Sequence, residues 1–420
     1  MEQTQQLALN SNISWFNNKC RKIVFELLNQ LDNAAIEIHE GANCHVFGNT
    51  RANLKGQMHI HDVTCYIDFI KGGSIAAAEG YLAKKWTTPD LTSLVRVFAR
   101  SQKQLDELEQ KAGVVAKIKN ALLNFKNANT QSGSKKNILA HYDLGNDLYT
   151  RFLDNSMMYS CAFYKHPDDS LAQAQTNKLA AICDKLDLQS DDHLIEIGTG
   201  WGGLAIYAAT HYGCKVTTTT ISDAQYEFAQ QKVNDLGLSD KITLLKKDYR
   251  LLEGQYDKLV SIEMIEAVGH SFLPSFFSKC NSLLKDNGKM LIQAITIADQ
   301  RYDQYRKSVD FIQKYIFPGG CLPSIAVMSE HIANQTNMMI DNIEDIGLHY
   351  ARTLFDWRQQ FDKNWEQIQP FGYDEQFKRL WHYYLCYCEG AFIERVISTH
   401  HIVARKPSYK DAHDETVLSY

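Results

Sequence analysis

The chain has 420 residues, of which 45% are hydrophobic and 11% aromatic, which is enough for two or three folded domains with substantial cores. Its formal net charge of −5 provides no global positive field for nucleic acid. The start has no basic region before an apolar core, and no apolar run reaches about 18 residues, so we expect neither a signal peptide nor a spanning helix. Ten cysteines without a CxxC pair and fifteen histidines without an HExxH pattern predict a cytoplasmic protein with reduced thiols and no metal.

Residues 1–105 mix short apolar segments with glycines and predict a small α+β or helical domain. Helices are expected over 74–82 and 88–100, with Thr88 or Asp90 as the N-terminal cap of the second. The segment has no cluster of catalytic side chains. Two roles stay open for it, a lipid-contacting or dimerising domain and a structural cap on the larger domain.

Residues 106–137 predict a basic amphipathic helix followed by a linker, NANTQSGSKK. Its apolar residues recur at helical spacing between lysines, and the lysines of this stretch are Lys111, Lys117, Lys119, Lys126, Lys135 and Lys136. A helix of this kind either lies on an anionic membrane surface or is a solvated linker.

Residues 138–420 predict an α/β domain. The aromatic stretch 138–170 is expected to form a lid over a cofactor, and a helix at 171–186 follows it. Strands and helices then alternate, which predicts a parallel, doubly wound sheet; its strands are expected at 193–197, 215–220, 242–246, 258–262 and 290–295. Residues 299–345 interrupt this alternation, and we interpret them as an insertion over the acyl site. Helices at 356–368 and 375–397 lead to an antiparallel closing strand at 399–405.

The stretch LIEIGTGWGG joins the first of these strands to a glycine-rich turn and a helix that begins near residue 204. Three glycines permit a tight turn beneath a ligand, and these are Gly198, Gly200 and Gly202. The glycines also satisfy the GxGxxG spacing of nicotinamide-binding proteins. Glu196 stands where a methyltransferase places a carboxylate beside the amino acid end of S-adenosylmethionine, and the next strand ends in Thr220 instead of an acid. A methyltransferase is therefore favoured.

Nine motifs occur in the order typical of one enzyme family: HYDLGNDLY, MMYSCAFY, EIGTGWGGLA, TISDAQ, DYR, MIEAVGH, YIFPGGCLPS, HYARTL and YYLCYCEGAF. On these motifs the chain, from about His141 to its end, closely resembles the cyclopropane-fatty-acyl-phospholipid synthases, including the mycolic-acid and plant members. The resemblance implies a Rossmann-like class I methyltransferase fold with a seven-stranded doubly wound sheet.

The resemblance also implies an activity, the transfer of the methyl carbon of S-adenosylmethionine to a cis double bond of a phospholipid acyl chain. In this family a bound bicarbonate is thought to remove the proton whose loss closes the cyclopropane ring. The residues that match its ligands are Cys161, Glu266, the backbone of Ile295, and Tyr350. We expect Glu266 to orient the bicarbonate through an attached proton, since two free anions side by side repel each other.

Further residues match the family's cofactor site. Tyr159 and Ser160 match residues that cover the amino acid moiety, which Glu196 and the three glycines contact from below. The remaining matches, to ribose and adenine contacts, are Thr220, Gln225, Asp248, Tyr249 and Arg250.

The sequence departs from many bacterial members at Ala267 and Gln293, where a histidine is common, and in this it looks like the plant-type branch. A glutamine donates a hydrogen bond but carries no charge, so ring closure is less certain than methyl transfer. Cys388 is a second candidate for catalysis, although a buried structural cysteine is favoured, because an unactivated thiol is a weak base.

Three alternatives to a cyclopropane synthase stay open: an enzyme that leaves a methyl or methylene branch, a small-molecule methyltransferase, and a non-catalytic lipid-binding protein. The expected location is cytoplasmic and peripheral to the inner membrane. The expected partners are membrane phospholipids with an unsaturated chain, and the resemblance suggests a homodimer.

Overall fold

A computed structural model describes residues 15–102 and 145–410. The predicted basic helix and linker at 106–137 therefore lie outside the described residues. The described chain forms two compact units. The first contains 15–102, 308–316 and 369–396, and the second contains 145–307, 317–368 and 397–410.

The described residues form fourteen α-helices and eleven strands. In chain order the helices are α1 (Trp15–Leu28), α2 (Cys65–Leu82), α3 (Leu91–Arg100), α4 (Asn146–Phe152), α5 (Leu171–Lys185), α6 (Gly203–His211), α7 (Asp223–Asp235), α8 (Leu273–Leu283), α9 (Asp299–Tyr305), α10 (Phe311–Tyr315), α11 (Ile325–Gln335), α12 (Gly347–Lys363), α13 (Trp365–Ile368) and α14 (Glu375–Ile393). The strands are β1 (Ala35–Glu40), β2 (Asn43–Gly48), β3 (Lys55–Ile60), β4 (Trp86–Thr87), β5 (His193–Ile197), β6 (Lys215–Thr220), β7 (Ile242–Lys246), β8 (Tyr256–Ile262), β9 (Leu284–Ile297), β10 (Met339–Asp345) and β11 (Ile397–Arg405).

The first unit contains a four-stranded sheet in the order β2-β1-β3-β4, in which only β1 and β3 are parallel. The predicted cap is confirmed, because the side chain of Asp90 accepts a hydrogen bond from the backbone N–H of Ser93 at the start of α3. Helix α2 begins at Cys65, nine residues before the predicted start at 74. Gly73 has a non-helical φ of 54°, so the predicted helix is the part that follows this kink.

Helix α14 belongs to the first unit, although the sequence analysis assigned all of 138–420 to one domain. It packs against α3 at Gly390, where a Cβ atom would lie 2.8 Å from Cγ1 of Val95. Arg96 and Arg100 of α3 each form an ion pair with Glu394 at 2.8 Å. This close packing places 369–396 with the N-terminal sheet even though it is distant in sequence.

The second unit contains a seven-stranded sheet in the order β10-β11-β9-β8-β5-β6-β7. Neighbours from β9 to β7 are parallel, and β11 is antiparallel to both β9 and β10. The predicted α/β fold with an antiparallel closing strand is thus confirmed. Strand β10, however, lies at the end of the segment 299–345, which the sequence analysis interpreted as an insertion. It is an edge strand whose residues are mostly exposed, so MIDNIED lacks the apolar run of a central strand.

The core of the second unit covers both faces of this sheet. On β5, Leu194 packs on one face with residues of α5 and α6, and Ile195 packs on the other with residues of α8 and α11. This alternation follows from the two-residue period of a strand. Because helices cover both faces of the sheet, loops project from the edge formed by the carboxyl ends of the parallel strands. Across the described ranges, no helix is both long enough and apolar enough to cross a membrane.

Candidate active site

A glycine-rich turn connects β5 to α6. Gly198, Gly200 and Gly202 have φ values of 105°, 54° and 89°, in the left-handed region that favours glycine. A Cβ atom on Gly200 would have no neighbour within 4 Å in residues 15–102 and 145–410. The backbone is therefore open to a ligand here, and the N–H groups at the start of α6 follow directly.

Glu196 lies near the end of β5 and is only 2% exposed. Its Oε2 accepts a hydrogen bond of 2.6 Å from Oγ1 of Thr218 on the neighbouring strand. Burial raises the pKa of Glu196 to about 8, although Thr218 and the positive charge of Lys178 oppose the shift. Pairing with a cationic amino group would restore the carboxylate, which fits the amino acid end of S-adenosylmethionine.

The residues assigned to ribose and adenine lie after the next strands. Oγ1 of Thr220 donates to Oε1 of Gln225 at 2.9 Å, which leaves the amide nitrogen of Gln225 as a donor for a ligand. Asp248 accepts hydrogen bonds from the backbone N–H and the guanidinium of Arg250, so it fixes the turn after β7. Tyr249 packs edge-on against Phe276 at 5.5 Å between ring centroids.

Aromatic rings surround Tyr159. Its ring centroid lies 5.1 Å from that of Trp357, 5.2 Å from that of Tyr149 and 6.4 Å from that of Phe317. Trp357 is fully buried and also contacts Tyr350 edge-on at 6.0 Å. This group of rings lies on the chain segments next to Cys161 and Tyr350. It provides apolar walls with electron-rich faces, which attract positive charge.

Ser160 is buried beside this aromatic group and accepts a hydrogen bond of 2.7 Å from Nζ of Lys178. Burial lowers the pKa of Lys178 to about 8, while the charge of Glu263 opposes the change. The ammonium group of Lys178 is therefore a local positive charge that acts on Glu263.

Glu263 is the site residue that the sequence analysis missed. It directly follows β8 and has a φ of 49°, an uncommon backbone conformation for a residue with a side chain. Oε1 accepts hydrogen bonds from the backbone N–H of Cys161 at 2.9 Å and from Nε2 of Gln293 at 2.8 Å. Oε2 accepts one from the hydroxyl of Tyr350 at 2.7 Å. Burial raises the pKa of Glu263, and these three donors and Lys178 oppose the rise.

Glu266 lies one turn further on, in the short helical segment Ile265–Ala267. Its Oε1 accepts a hydrogen bond of 2.5 Å from the backbone N–H of Ile295. Its Oε2 is buried and has no hydrogen-bond partner within the described part of the chain. Burial, and then the negative charge of Glu263, raise the pKa of Glu266 to about 8. Glu266 is thus mainly a neutral acid at pH 7, with its proton available for donation.

Of the four groups that the resemblance assigns to bicarbonate, three therefore donate hydrogen bonds to carboxyl groups of the protein, and the fourth, Glu266, is one of those carboxyl groups. Cys161 and Tyr350 donate to Glu263, and Ile295 donates to Glu266. The thiol of Cys161 is buried, has its pKa raised by burial, and lies 3.3 Å from the carbonyl oxygen of Ala162. The residues do not fit a bicarbonate ion, because a second anion would have to displace the carboxylate of Glu263.

A buried polar chain holds Gln293 in place. Nε2 of His401 lies 2.9 Å from Oε1 of Gln293, and Nδ1 lies 2.5 Å from Nζ of Lys185. Burial, followed by the charge of Lys185, lowers the pKa of His401, so the imidazole is neutral. A neutral ring that accepts from Lys185 at Nδ1 donates from Nε2. The amide oxygen of Gln293 therefore faces His401, and its NH₂ group faces Glu263.

A further candidate from the sequence, Cys388, lies in the first unit. Cys388 is part of α14, and burial raises the pKa of its thiol, so it is not poised as a thiolate. The first unit also has a group of possible metal ligands on its sheet, Glu37, His39 and Cys44. The absence of a metal stays a prediction.

A signal for Glu263 is present in the sequence. The run LVSIEMIEAVGH places two glutamates after a predicted strand, and only Glu266 was selected because it matched the family motif. Glu263 follows the strand directly, at the edge where α/β sheets bind ligands. Met264 lies next to it, and its Cβ would be 3.4 Å from a Cβ atom on Gly198. The carboxylate and the glycine-rich turn thus occupy one edge of the sheet.

Comparison with known proteins identifies the family of the chain. The family model described as mycolic acid cyclopropane synthetase matches residues 129–402. Tuberculostearic acid methyltransferase UfaA1 of Mycobacterium tuberculosis is 36% identical over 330 residues, which cover 76% of each chain. Cyclopropane-fatty-acyl-phospholipid synthase of Escherichia coli K12 is 40% identical over 264 residues, 63% of this chain and 66% of that one. The crystal structure of mycolic acid cyclopropane synthase CmaA1 with SAH and CTAB is 30% identical, with a TM-score of 0.61 over 65% of this chain and 98% of that one. The chain belongs to the mycolic acid cyclopropane synthetase family of S-adenosylmethionine-dependent methyltransferases.

Proposed function

We propose that this protein is a cyclopropane-fatty-acyl-phospholipid synthase, which adds the methyl carbon of S-adenosylmethionine across a cis double bond of a phospholipid acyl chain. The observation that carries the proposal is the combination of a held carboxylate, Glu263, with the aromatic rings around Tyr159. A poor nucleophile such as an alkene needs a site that positions it, stabilises positive charge and then accepts a proton.

The residues of the chain supply each of these requirements. When bound, S-adenosylmethionine supplies an electrophilic methyl group. Methyl transfer to one alkene carbon leaves a positive charge on the other, and the ring faces of Tyr159, Trp357 and Tyr350 stabilise that charge. The buried rings of Trp357 and Phe152 keep water from the cation.

A second candidate product is a methyl or methylene branch. It is favoured by the likeness to the tuberculostearic acid methyltransferase, which covers more of this chain than the likeness to the Escherichia coli synthase does. The methyl transfer is the same in both cases. Loss of a proton from the new methyl group, with formation of the second ring bond, closes the ring. Loss of a proton from a chain carbon next to the cation gives a methyl-substituted alkene instead. A methylene branch forms when a hydride first shifts from the methyl-bearing carbon to the cation and the methyl group then loses a proton.

The test is mass spectrometry of vesicle lipids that carry a cis-monounsaturated chain, after incubation with the protein and S-adenosylmethionine. A gain of one CH₂ in a product that resists hydrogenation supports the synthase. The same gain in a product that takes up hydrogen favours the branched alternative. Activity without vesicles would favour a small-molecule methyltransferase, and a calorimetric titration without heat on adding S-adenosylmethionine would favour a lipid-binding protein.

We further propose that the enzyme works in the cytoplasm on phospholipid at the surface of the inner membrane, as a homodimer. The run of lysines at 106–137, which lies outside the described residues, supports the membrane contact, and the family resemblance suggests the homodimer. Glutamine in place of Lys111, Lys117, Lys119 and Lys126 should weaken co-flotation with anionic vesicles. Unchanged flotation would remove this segment from the membrane contact, and light scattering would measure the oligomeric state.

A further inference from the structure

The carboxylate of Glu263 is bound by two of the residues that the family resemblance assigns to a free anion. Two of the expected anion ligands, the backbone N–H of Cys161 and the hydroxyl of Tyr350, donate to its two different oxygens. The amide of Gln293 donates a third hydrogen bond. A carboxylate and a bicarbonate present the same pair of oxygens on one planar carbon, so one can stand in for the other.

We infer that the side chain of Glu263 is the base that removes the proton after methyl transfer, and that the enzyme works without a bound bicarbonate. This inference rests on the proposed function, since it names the proton acceptor of that same reaction. Among the residues that the structure describes, three donors use three of the roughly four acceptor positions of the carboxylate, which leaves one on Oε2 for a proton of the substrate.

The step balances without an added reactant. The alkene π electrons form the new C–C bond as the C–S bond breaks, and the sulfur keeps that electron pair. One C–H bond of the new methyl group then breaks, its electrons form the second ring bond, and its proton passes to Oε2 of Glu263. The resulting acid later releases the proton to solvent, and the carboxylate is restored.

The surroundings of Glu263 suit this role. Burial raises the pKa of its carboxyl group, which makes the carboxylate a stronger base than in water. The side chain is closely surrounded by protein but retains partial solvent exposure. Its neighbour Glu266 is mainly neutral at pH 7, because burial and the charge of Glu263 raise its pKa to about 8. Of the two carboxyl groups, Glu266 is thus the one that keeps its proton at pH 7.

The positive φ of Glu263 allows the inference to be tested with a glycine substitution. Glycine adopts its φ of 49° without a steric penalty, so Glu263→Gly relieves backbone strain. It also leaves the N–H of Cys161, the amide of Gln293 and the hydroxyl of Tyr350 as a vacant set of donors. Bicarbonate added from solution should fill that set.

The experiment compares wild type with Glu263→Gln, Glu263→Gly and the control Glu253→Gln, which changes an exposed glutamate. Wild-type activity on vesicles should be the same in CO₂-stripped buffer and with added bicarbonate. Glu263→Gln should lose about 100-fold or more of the activity while S-adenosylmethionine binding stays within about twofold. Glu263→Gly should be inactive in stripped buffer and regain activity as bicarbonate is added. A wild type that needs bicarbonate, or a Glu263→Gln variant within about tenfold of wild type, would overturn the inference.

A second readout separates this inference from the proposed function. Binding of ¹³C-labelled bicarbonate, followed by NMR, should be absent in wild type and Glu253→Gln and present in Glu263→Gly. A wild type that binds bicarbonate would overturn the inference whatever its activity. A wild type that methylates no unsaturated lipid would instead refute the proposed function, while the binding comparison would still decide which anion occupies the site.

Discussion

Glu266→Gln tests whether the second carboxyl group works as a neutral acid. Burial and the charge of Glu263 raise the pKa of Glu266 to about 8, so at pH 7 about nine molecules in ten carry the proton. A glutamine has the same shape as this acid. Its amide oxygen can still accept from the backbone N–H of Ile295, and its NH₂ group takes the place of the buried Oε2. We therefore expect Glu266→Gln to keep activity within about tenfold of wild type.

The same substitution has a calculable effect on stability. The pKa of Glu266 rises from 4.5 in the unfolded chain to about 8 in the folded protein. The stability present below pH 4.5 is therefore lost as pH rises toward 8, because the unfolded chain ionises first. By linkage the loss is about 1 kcal/mol at pH 5 and at most about 3 kcal/mol at pH 7. Glu266→Gln has no such titration, so its stability relative to wild type should grow over this range.

The assay is urea unfolding of wild type, Glu266→Gln and the exposed-site control Glu253→Gln at pH 5, 6 and 7, together with activity on vesicles. The difference between Glu266→Gln and wild type should increase by about 2 kcal/mol from pH 5 to pH 7, and the control should show none. A difference independent of pH would refute the raised pKa. A loss of activity of about 1,000-fold, with cofactor binding intact, would show that Glu266 acts in its ionised form.

Three other predictions follow from named contacts. Binding of S-adenosylmethionine at pH 7 should release between about half and one proton, because its amino group pairs with Glu196, whose pKa is about 8. Calorimetry in buffers of different ionisation enthalpy measures the number of protons released, and Glu196→Gln should release none. His401→Ala should lower kcat about tenfold with little change in KM, because the amide of Gln293 is then free to rotate. It should also shift the acid limb of the pH–activity profile to higher pH. An unchanged pH–activity profile would exclude a positioning role for His401. Gly390→Ala should lower the free energy of unfolding by about 1–3 kcal/mol, because the new Cβ atom would lie 2.8 Å from Val95. A melting temperature equal to that of wild type would contradict the close packing of α14 against α3.

Much of the second unit follows from local sequence. Strands β5, β6 and β7 have the predicted bounds, since each is a short run whose flanking turns and helices are marked by glycine and polar residues. The turn at Gly198, Gly200 and Gly202 was predicted because only glycine adopts its positive φ values without strain. Features that rest on the local backbone are therefore predictable from one sequence.

Features that rest on long-range contacts were not predictable in this way. The partners of Glu263 are Cys161, Gln293 and Tyr350, which lie between 30 and 102 residues away in the chain. Neither propensity nor spacing shows that they converge. The position of α14 in the first unit likewise depends on its close packing at Gly390. Strand β10 escaped prediction because its pairing with β11 leaves most of its side chains exposed.

The glutamine at 293, where many family members have a histidine, suits a site in which the carboxylate of Glu263 accepts the proton. A histidine beside a proton-accepting carboxylate would itself titrate near pH 6.5 and compete for the proton. The amide of Gln293 does not titrate, and His401 fixes the direction in which it donates. The departure that made ring closure doubtful from sequence is thus part of a site whose base belongs to the protein. Since the base is fixed, the C–H bond that the bound chain presents to Oε2 of Glu263 decides between a ring and a branch.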